Sequence, residues 1–586
     1  MRLRVWLAEF LRPTELQATL FWAGIIGVLS ALASVGFRDL AKVIHIVLTG
    51  YSGDGYVESF KQLTWWHRLL VPSLGGLAAG MTLYFGMRLS QAKSSTDYME
   101  AIALGDGVVS SRSSLVKCAS ALCSISSGGS IGREGPLVQL AAMLASLIGR
   151  RQRVSTVQLR LYVACGAAAG IASAYNAPIT GALFVAEIIL GSLAMETFGP
   201  LVFASVISTM TVQKFLGSDP LYQISMPITR LTSNWEILPA ALLGLGAGLA
   251  APWFLRFLRW CERMLSRLPI PAYLRLTLGG LIVGALAIVS PEVVGNGYSV
   301  INQLLHREWL WSGLLLVLAL KLVATGATFG SGAVGGVFTP TLFVGACLGS
   351  LWGDAWRMVW HGTSFGSGVF VLIGMGAFLA GTTQAPLMAI LMVFELTLDY
   401  QIILPLMLAC VLSHYTARAF EGESIYAESL RRKRHGGARQ QLSALRVGDI
   451  MRHEPPTVLE TAPFAEIAQK FIKQRFNYLY VVDAENRFQG AVSLHDIKAH
   501  LNEPDLAALV IAGDLVIQEF PAVTPDESLM DALGRFTRHD GERLAVIDTP
   551  GSRHLLGSIA KTDLLLALAE HKEPTEISAQ QVGPAG

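Results

Sequence analysis

The first 430 residues alternate long apolar segments with short segments rich in glycine, proline and charge. The most apolar segments lie at residues 17–36, 68–88, 237–258, 275–290 and 309–326. Each of them approaches the roughly 20 residues that an α-helix needs to cross the hydrocarbon core of a bilayer. The pattern therefore predicts a polytopic α-helical membrane protein.

A different pattern begins after Tyr426, where apolar runs become short and acidic residues frequent. Residues 477–497 resemble residues 542–564: in each, an apolar strand ends in Asp, a turn leads to a second strand after Gly, and a helix opens near another Asp. This repeat predicts an α/β pair of domains at 444–502 and 513–570.

Composition and charge narrow the function and orient the chain. The 586 residues are 52% hydrophobic and 15% charged, and the net charge of +2 gives no argument for nucleic acid as a partner. No nucleophile–base constellation or metal-ligand spacing stands out, so we expect neither an enzyme nor a metal or other required cofactor. A basic linker at 431–443 and the cluster of Arg150, Arg151 and Arg153 predict that the amino terminus and the α/β pair lie in the cytoplasm. Residues 571–586 are expected to form a disordered tail.

The membrane part resembles itself at a nearly constant offset. Ser127–Pro136 (SGGSIGREGP) and Ser331–Pro340 (SGAVGGVFTP) share a frame of glycine and proline 204 residues apart, as do Lys117 and Lys321. Two further blocks match at an offset of 208, YNAPITGALFVAE from Tyr175 and TQAPLMAILMVFE from Thr383.

These matches predict two homologous halves, at about 68–215 and 270–418. Many apolar segments are interrupted by Gly or Pro, which is tolerated in lipid only where protein or a water-filled cavity satisfies the backbone. Transport proteins with such repeats place the substrate near mid-membrane, between broken helices of the two halves. The sequence therefore predicts a transport path at the repeat interface.

The glycine-rich frames favour an anion as the substrate. Each ends in a proline, Pro136 or Pro340, that suits the first turn of a helix, so two helix N-termini with unpaired N–H groups can face one point. Lys117 and Lys321 lie in apolar segments, where a lysine costs roughly 2.5 to 3.5 kcal/mol. Two interpretations stay open: the lysines supply positive potential behind an anion path, or they bind the carbonyl ends of broken helices.

Four motifs resemble the ClC family of chloride channels and proton/chloride exchangers. They are GREGP (132–136), GGVFTP (335–340), CGAAAGIASAYNAP (165–178) and SIYAESL (424–430), and SSTDYMEAIALGDG (94–107) resembles the bacterial ClcB subgroup. The resemblance covers residues 15–430. It implies the ClC fold, with two inverted-topology repeats, and a homodimer in the bacterial inner membrane with one chloride path per subunit.

The resemblance also implies roles for particular residues. Glu134 matches the gating glutamate, whose carboxylate competes with chloride and swings away when it is protonated. The implied anion-binding residues are Gly132, Arg133 and Gly135 around this glutamate, the amides of Val337 and Phe338, the hydroxyl of Tyr426 and, at a diverged motif, Ser94.

Departures from the family pattern bear on the transport mode. Where proton-coupled exchangers commonly have two adjacent glutamates after the Asn-Ala-Pro helix, this chain has Glu187 followed by Ile188. The missing second glutamate favours a voltage-gated-type chloride channel. A proton/chloride antiporter on the same fold is the alternative, because Glu187 or a water chain could carry protons.

The cytoplasmic repeat resembles a tandem pair of CBS domains, which in ClC proteins can bind adenine nucleotides such as ATP or AMP. The matching motif is Gly490, Ser493 and Asp496 in the first copy, whereas the second has Ala560 at the hydroxyl position and keeps Asp563. The resemblance implies a phosphate contact by Ser493 and ribose contacts by Asp496 or Asp563. Alternatively these residues cap helices and the pair is a structural or dimerisation module. A third function, a nucleotide sensor that no longer conducts, depends on this site.

Overall fold

The structure is a computed structural model of the whole chain, and it separates two compact units, Met1–Leu430 and Arg431–Gly586. Each unit is described by itself below. The residues described are 15–53, 55–90, 97–218, 220–222, 237–360, 367–420, 424, 426, 445–473, 476–495, 497, 509–538 and 542–570. Ser94, Asp496, the predicted linker at 431–443 and the predicted tail at 571–586 lie outside these residues.

The first unit is entirely helical in the residues described. Its helices in chain order are α1 (Glu15–Thr49), α2 (Tyr56–Gln62), α3 (Trp65–Leu89), α4 (Tyr98–Ala103), α5 (Ser111–Ser126), α6 (Glu134–Gln152), α7 (Thr156–Tyr175), α8 (Pro178–Leu183, continued by a π-helix at Phe184–Leu190), α9 (Met195–Leu216), α10 (Ile237–Ser266), α11 (Ala272–Val289), a 3₁₀ turn at Pro291–Val293, α12 (Tyr298–His306), α13 (Trp311–Gly330), α14 (Phe338–Val359), α15 (Ser367–Thr383), α16 (Pro386–Thr397) and α17 (Ile403–Phe420).

Eight of the described helices are long and apolar enough to cross a membrane: α1, α3, α7, α9, α10, α11, α13 and α17. All five apolar segments that the sequence singles out form helices of this kind. The others, α7, α9 and α17, are less apolar on average than α1. Together these helices confirm the multi-pass membrane protein.

Two contacts between the halves of this unit show that the halves are equivalent. The second contact repeats the first with the two helices in exchanged roles. Helices α3 and α11 cross so closely that a Cβ on Gly76 would lie 2.3 Å from the carbonyl oxygen of Leu276, and a Cβ on Gly280 would lie 2.1 Å from that of Pro72. Gly76 and Gly280 are 204 residues apart, as are Pro72 and Leu276. Such exchange is what a two-fold relation between inverted repeats produces, and only glycine permits so close a crossing.

The second unit contains two α/β copies. Its elements are α18 (Val447–Ile450), β1 (Arg452–His453), β2 (Thr457–Leu459), α19 (Phe464–Lys473), β3 (Tyr478–Val482), β4 (Phe488–Ser493), α20 (Ala512–Leu515), β5 (Ala522–Val523), α21 (Leu529–Arg538), β6 (Arg543–Ile547), β7 (Leu555–Ala560) and α22 (Lys561–Glu570).

Each copy has the same sheet order. In the first copy β2 runs parallel to β3, which pairs antiparallel with β4, and in the second β5, β6 and β7 repeat that arrangement. β1 joins the second sheet beside β7. The copies exchange backbone hydrogen bonds, from Phe488 N–H to Arg553 and from Leu555 N–H to Asn486 (2.7 and 3.2 Å). A tandem pair packed on itself is the arrangement that the sequence repeat predicts.

Candidate functional site: a carboxylate where two helix N-termini meet

The glycine frames of the two halves meet at the N-termini of α6 and α14. The N–H of Gly132 donates to the carbonyl of Gly336 at 2.7 Å, and the N–H of Gly336 donates back to Gly132 at 2.9 Å. The offset of 204 therefore joins equivalent residues in space. The first turns of α6 and α14 therefore lie close together. Each has N–H groups that lack a partner within its own helix.

Glu134, the first residue of α6, has its carboxylate at this meeting point. The side chain is 4% exposed. Its Oε1 accepts hydrogen bonds from the hydroxyls of Tyr175 (2.5 Å) and Thr339. Its Oε2 has no hydrogen-bond partner among the described residues. One oxygen of the gating candidate is thus held by two donors, and the other is left unsatisfied.

Two glycines lie close to this carboxylate and leave space for it in this position. A Cβ on Gly132 would lie 1.9 Å from Oε2 of Glu134, and a Cβ on Gly336 would lie 2.6 Å from it. The N–H of Gly132 already donates to a carbonyl within the chain. Gly132 also leaves the space that the carboxylate occupies. Its predicted role as an anion ligand stays a prediction.

A cavity of about 350 Å³ opens on one side of Glu134. Its walls include five residues to which the ClC resemblance assigns roles, Glu134, Gly135, Val337, Phe338 and Tyr426. Asp97 and Lys117 also line it. The cavity thus joins residues from both halves and from the end of the membrane unit, which is the setting expected of a transport path.

A second cavity of about 410 Å³ is lined by Arg133 and by basic residues of α1. Arg38, Lys42 and His45 contribute to its walls, together with Asp39. Arg133 and Glu134 are adjacent in sequence but line different cavities. The start of α6 therefore contributes one charged side chain to each cavity.

Aromatic side chains surround the anion-site candidates. The Phe338 ring lies 5.5 Å from the ring of Tyr175 and 6.4 Å from that of Phe184, and Phe184 in turn lies edge-on to Tyr426 at 5.7 Å. Tyr426 therefore packs against Phe184 of the first half, which in turn packs against Phe338 of the second. Its predicted hydrogen bond to a chloride ion stays a prediction.

The two lysines that share an offset have different environments. Lys321 on α13 is 1% exposed, and its ammonium donates to the carbonyls of Val293 (2.8 Å) and Gly295 (2.7 Å). Lys117 on α5 is half-buried and lines the cavity beside Glu134. The carbonyl-binding interpretation therefore fits Lys321, and the electrostatic role of Lys117 stays a prediction.

Glu187 and Glu395 each cap a short helix in the opposite half of the membrane unit. The carboxylate of Glu187 accepts from the N–H groups of Leu387 (3.3 Å) and Met388 (2.8 Å) at the start of α16. The carboxylate of Glu395 accepts from the N–H groups of Ile179 (2.8 Å) and Thr180 (2.7 Å), and from the Thr180 hydroxyl, at the start of α8. The residues of each capping set lie 208 positions from those of the other.

Four contacts near the site escape sequence reasoning. Tyr175 and Thr339 belong to the repeated motifs, but nothing in their spacing shows that both reach Glu134. The offset of 208 between Glu187 and Glu395 is visible in the sequence, yet a constant offset does not tell which backbone each carboxylate caps. All of these contacts join residues at least 41 positions apart.

In the second unit, Asp563 has two partners within the chain. Its carboxylate accepts from the Ala560 N–H (2.9 Å) at the start of α22 and pairs with Arg452 (2.6 Å). The hydrogen bond that the Arg452 guanidinium donates to this carboxylate raises the pKa of Arg452. Ser493 ends β4. The capping interpretation therefore fits Asp563, and nucleotide contacts by Ser493, Asp496 and Asp563 stay predictions.

Two inverted repeats whose helix N-termini converge on a buried carboxylate beside a cavity define a helical anion-transport protein. The sequence model of the family described as "Voltage gated chloride channel" matches residues 74–418, and that described as "CBS domain" matches 447–503 and 512–570. The chain belongs to this ClC family, whose proteins transport chloride across membranes, and it carries a CBS domain pair.

Individual relatives agree with this assignment. A ClcB-like chloride channel protein of Ralstonia nicotianae is 52% identical over 416 residues, which cover 70% of this chain and 96% of that protein. The voltage-gated ClC-type chloride channel ClcB of Citrobacter koseri is 38% identical over 409 residues, 69% of this chain and 97% of that protein.

Solved structures share the fold at lower identity. A slow cyanobacterial Cl⁻/H⁺ antiporter aligns with a TM-score of 0.63 at 23% identity, over 71% of this chain and 97% of that one. A eukaryotic CLC transporter aligns with a TM-score of 0.59 at 18% identity, over 93% of this chain and 97% of that one. The expected ClC fold, with its inverted repeats followed by a CBS pair, is thereby confirmed.

Proposed function

We propose that this protein is a chloride channel with one conduction path per subunit, gated by the side chain of Glu134. The observation that carries the proposal is the position of this carboxylate, which is buried where the N-termini of α6 and α14 meet and lines a cavity with Val337, Phe338 and Tyr426. Converging N-termini stabilise an anion, and a carboxylate at that point competes with it. When the carboxylate is protonated or moves away, chloride can take its place.

The environment of Glu187 supports conduction rather than proton exchange. Both of its oxygens accept N–H groups at the start of α16, so this carboxylate has a capping role that accounts for its presence. The residue after it is Ile188, where the exchanger pattern has a second glutamate. A proton relay through this position lacks its second carboxylate.

Orientation, membrane and assembly complete the proposal. The exposed cluster of Arg150, Arg151 and Arg153 at the end of α6 supports a cytoplasmic position for that helix end, since basic loops stay inside. We place the amino terminus and the CBS pair on the same side, in the inner membrane of a bacterium. Membership of the ClC family supports a homodimer, which light scattering of the detergent-solubilised protein would test.

Flux measurements in liposomes test the transport mode. The purified full-length protein is reconstituted with a chloride gradient, and chloride efflux and internal pH are followed together. A channel dissipates the chloride gradient without moving protons uphill. Proton movement against its own gradient, driven by chloride, would establish the antiporter instead.

The same liposomes test Glu134 and the sensor alternative. In Glu134→Ala we expect chloride flux to persist and to lose its pH dependence, whereas an unchanged pH profile would contradict the gating role. A complete absence of flux in the wild type, together with tight ATP or AMP binding in calorimetry, would identify a nucleotide sensor. Calorimetry with Ser493→Ala then tests the predicted phosphate contact.

A further inference from the structure

The carboxylate of Glu134 is held by one hydroxyl from each half of the membrane unit. Tyr175 is the last residue of α7 and Thr339 lies in the first turn of α14. Both side chains are buried, at 2% and 0% exposure. Their oxygens lie 3.0 Å apart, and both donate to the same oxygen, Oε1. We call Tyr175 and Thr339 the hydroxyl pair.

Two donors on one oxygen favour the ionised carboxylate in this position. An ionised carboxylate only accepts hydrogen bonds, and each of the two hydroxyls has a single proton to donate. Hydrogen bonds to a charged acceptor are stronger than those between neutral groups, and they stabilise the charged form. Oε2 has no hydrogen-bond partner among the described residues. The two hydrogen bonds from the hydroxyl pair are therefore the main direct contacts that hold this side chain.

We propose that the hydroxyl pair is a latch that holds the ionised side chain of Glu134 in the anion path and thereby sets the pH at which the gate opens. The proposal rests on the proposed function, in which Glu134 is the gate. Tyr175 and Thr339 act here as positioning residues, because they act through Glu134 and not on the transported ion.

Other charged and titratable groups also surround this carboxylate. They stay in place when the hydroxyl pair is altered, so a difference between variants reports the pair alone. The groups that interact with Glu134 electrostatically or share its cavity are Arg133, Asp97, Lys117, Tyr98, Tyr222, Tyr298 and Tyr426.

The substitutions can remove the donors and keep the packing. The Tyr175 ring lies 5.5 Å from that of Phe338, and Tyr175→Phe retains that contact. Thr339→Val keeps the β-branched shape. Thr339→Ser restores a hydroxyl at the same position and should behave like the wild type.

Matched controls lie on the same two helices. Thr341→Val removes a buried hydroxyl of α14 that donates to the carbonyl of Val337 (2.8 Å) instead of to Glu134. Tyr162→Phe removes a hydroxyl of α7 at about 20 Å along the helix axis from Tyr175, given a rise of about 1.5 Å per residue. Neither control should shift the pH dependence of flux.

The experiment is chloride efflux from liposomes between pH 4 and about pH 8, a range that spans the ordinary titration of a carboxyl group and its upward displacement by burial. Without a donor the side chain is protonated more easily, so the midpoint of acid-activated flux should move to higher pH. Because a hydrogen bond to a charged group is worth about one to two pH units, Tyr175→Phe and Thr339→Val should each shift the midpoint by about one unit. Maximal flux at low pH should not change.

Combination with Glu134→Ala separates the latch from the gate. If Glu134→Ala flattens the pH profile but neither hydroxyl variant shifts it, the latch is wrong and the gate stands. A shift that persists in the Glu134→Ala background also overturns the latch, since the hydroxyls then act through another group. If Glu134→Ala leaves the profile intact, the gating function itself fails. Should Tyr175→Phe not fold, Thr339→Val compared with Thr339→Ser gives the same decision.

Discussion

The helix cap formed by Glu395 should contribute more to the stability of the membrane unit than the helix cap formed by Glu187. Glu395→Ala leaves three donors of α8 without their acceptor: the N–H groups of Ile179 and Thr180 and the Thr180 hydroxyl. Glu187→Ala leaves two N–H groups of α16, one of them exposed. Glu395 is 8% exposed, whereas Glu187 is half-buried.

The expected losses follow from these counts. A buried donor left unsatisfied costs about 1–3 kcal/mol. Glu395→Ala leaves two buried donors on Thr180 and should lower the free energy of unfolding by about 2–6 kcal/mol, whereas Glu187→Ala leaves one on Met388 and should lower it by about 1–3 kcal/mol. Denaturant unfolding in detergent micelles, followed by tryptophan fluorescence, measures both. Glu308→Ala is the control, because its exposed pair with Arg357 should be worth less than about 1 kcal/mol.

The structure predicts that Glu395→Ala lowers the free energy of unfolding more than Glu187→Ala does. Equal losses, or a larger loss for Glu187→Ala, would refute the reasoning from hydrogen-bond number and burial. A loss below about 1 kcal/mol for Glu395→Ala would show that its carboxylate does not cap α8 in the membrane. Because Glu187 caps α16, Glu187→Ala should lower stability without introducing or removing proton coupling.

Three further predictions concern the glycine beside Glu134, the two lysines and the CBS pair. Gly336→Ala should displace the Glu134 carboxylate and weaken the pH dependence of flux, whereas Gly313→Ala, with open space around its Cα, should not; liposome efflux decides. Lys321→Met should cost about 2–6 kcal/mol in micelle unfolding, since two buried carbonyls lose their donor, while Lys117→Met should mainly lower chloride flux. Asp563→Ala should lower the thermal stability of the CBS pair by about 1 kcal/mol through the lost helix cap, measured by circular dichroism, and an unchanged melting temperature would contradict that cap.

Local pattern was enough to predict the frame of the site. The glycines and prolines of the two frames are short-range signals, and their offset of 204 is repeated in space by the Gly132–Gly336 pair. The position of Glu134 at the meeting point follows from its place between those glycines. The resemblance to the ClC family was confirmed, as was the pair of α/β copies in the second unit.

The sequence was less informative about side-chain partners. Lys117 and Lys321 share one offset, yet one lines a cavity and the other binds two carbonyls. Nothing in the sequence distinguishes them, because their environments differ through the loops and helix ends that pack against them. The roles of Tyr175 and Thr339 were missed for the same reason.

The sequence by itself determined that the chain spans a membrane, that its membrane part is duplicated and that glycine frames repeat in both halves, because these depend on composition and periodicity along the chain. Only the tertiary structure decided which side chains share the carboxylate of Glu134 and which carboxylate caps which helix. Those contacts join residues 41 to 216 positions apart. Contacts over such separations depend on how the two halves pack, and a pattern along one segment does not encode that packing.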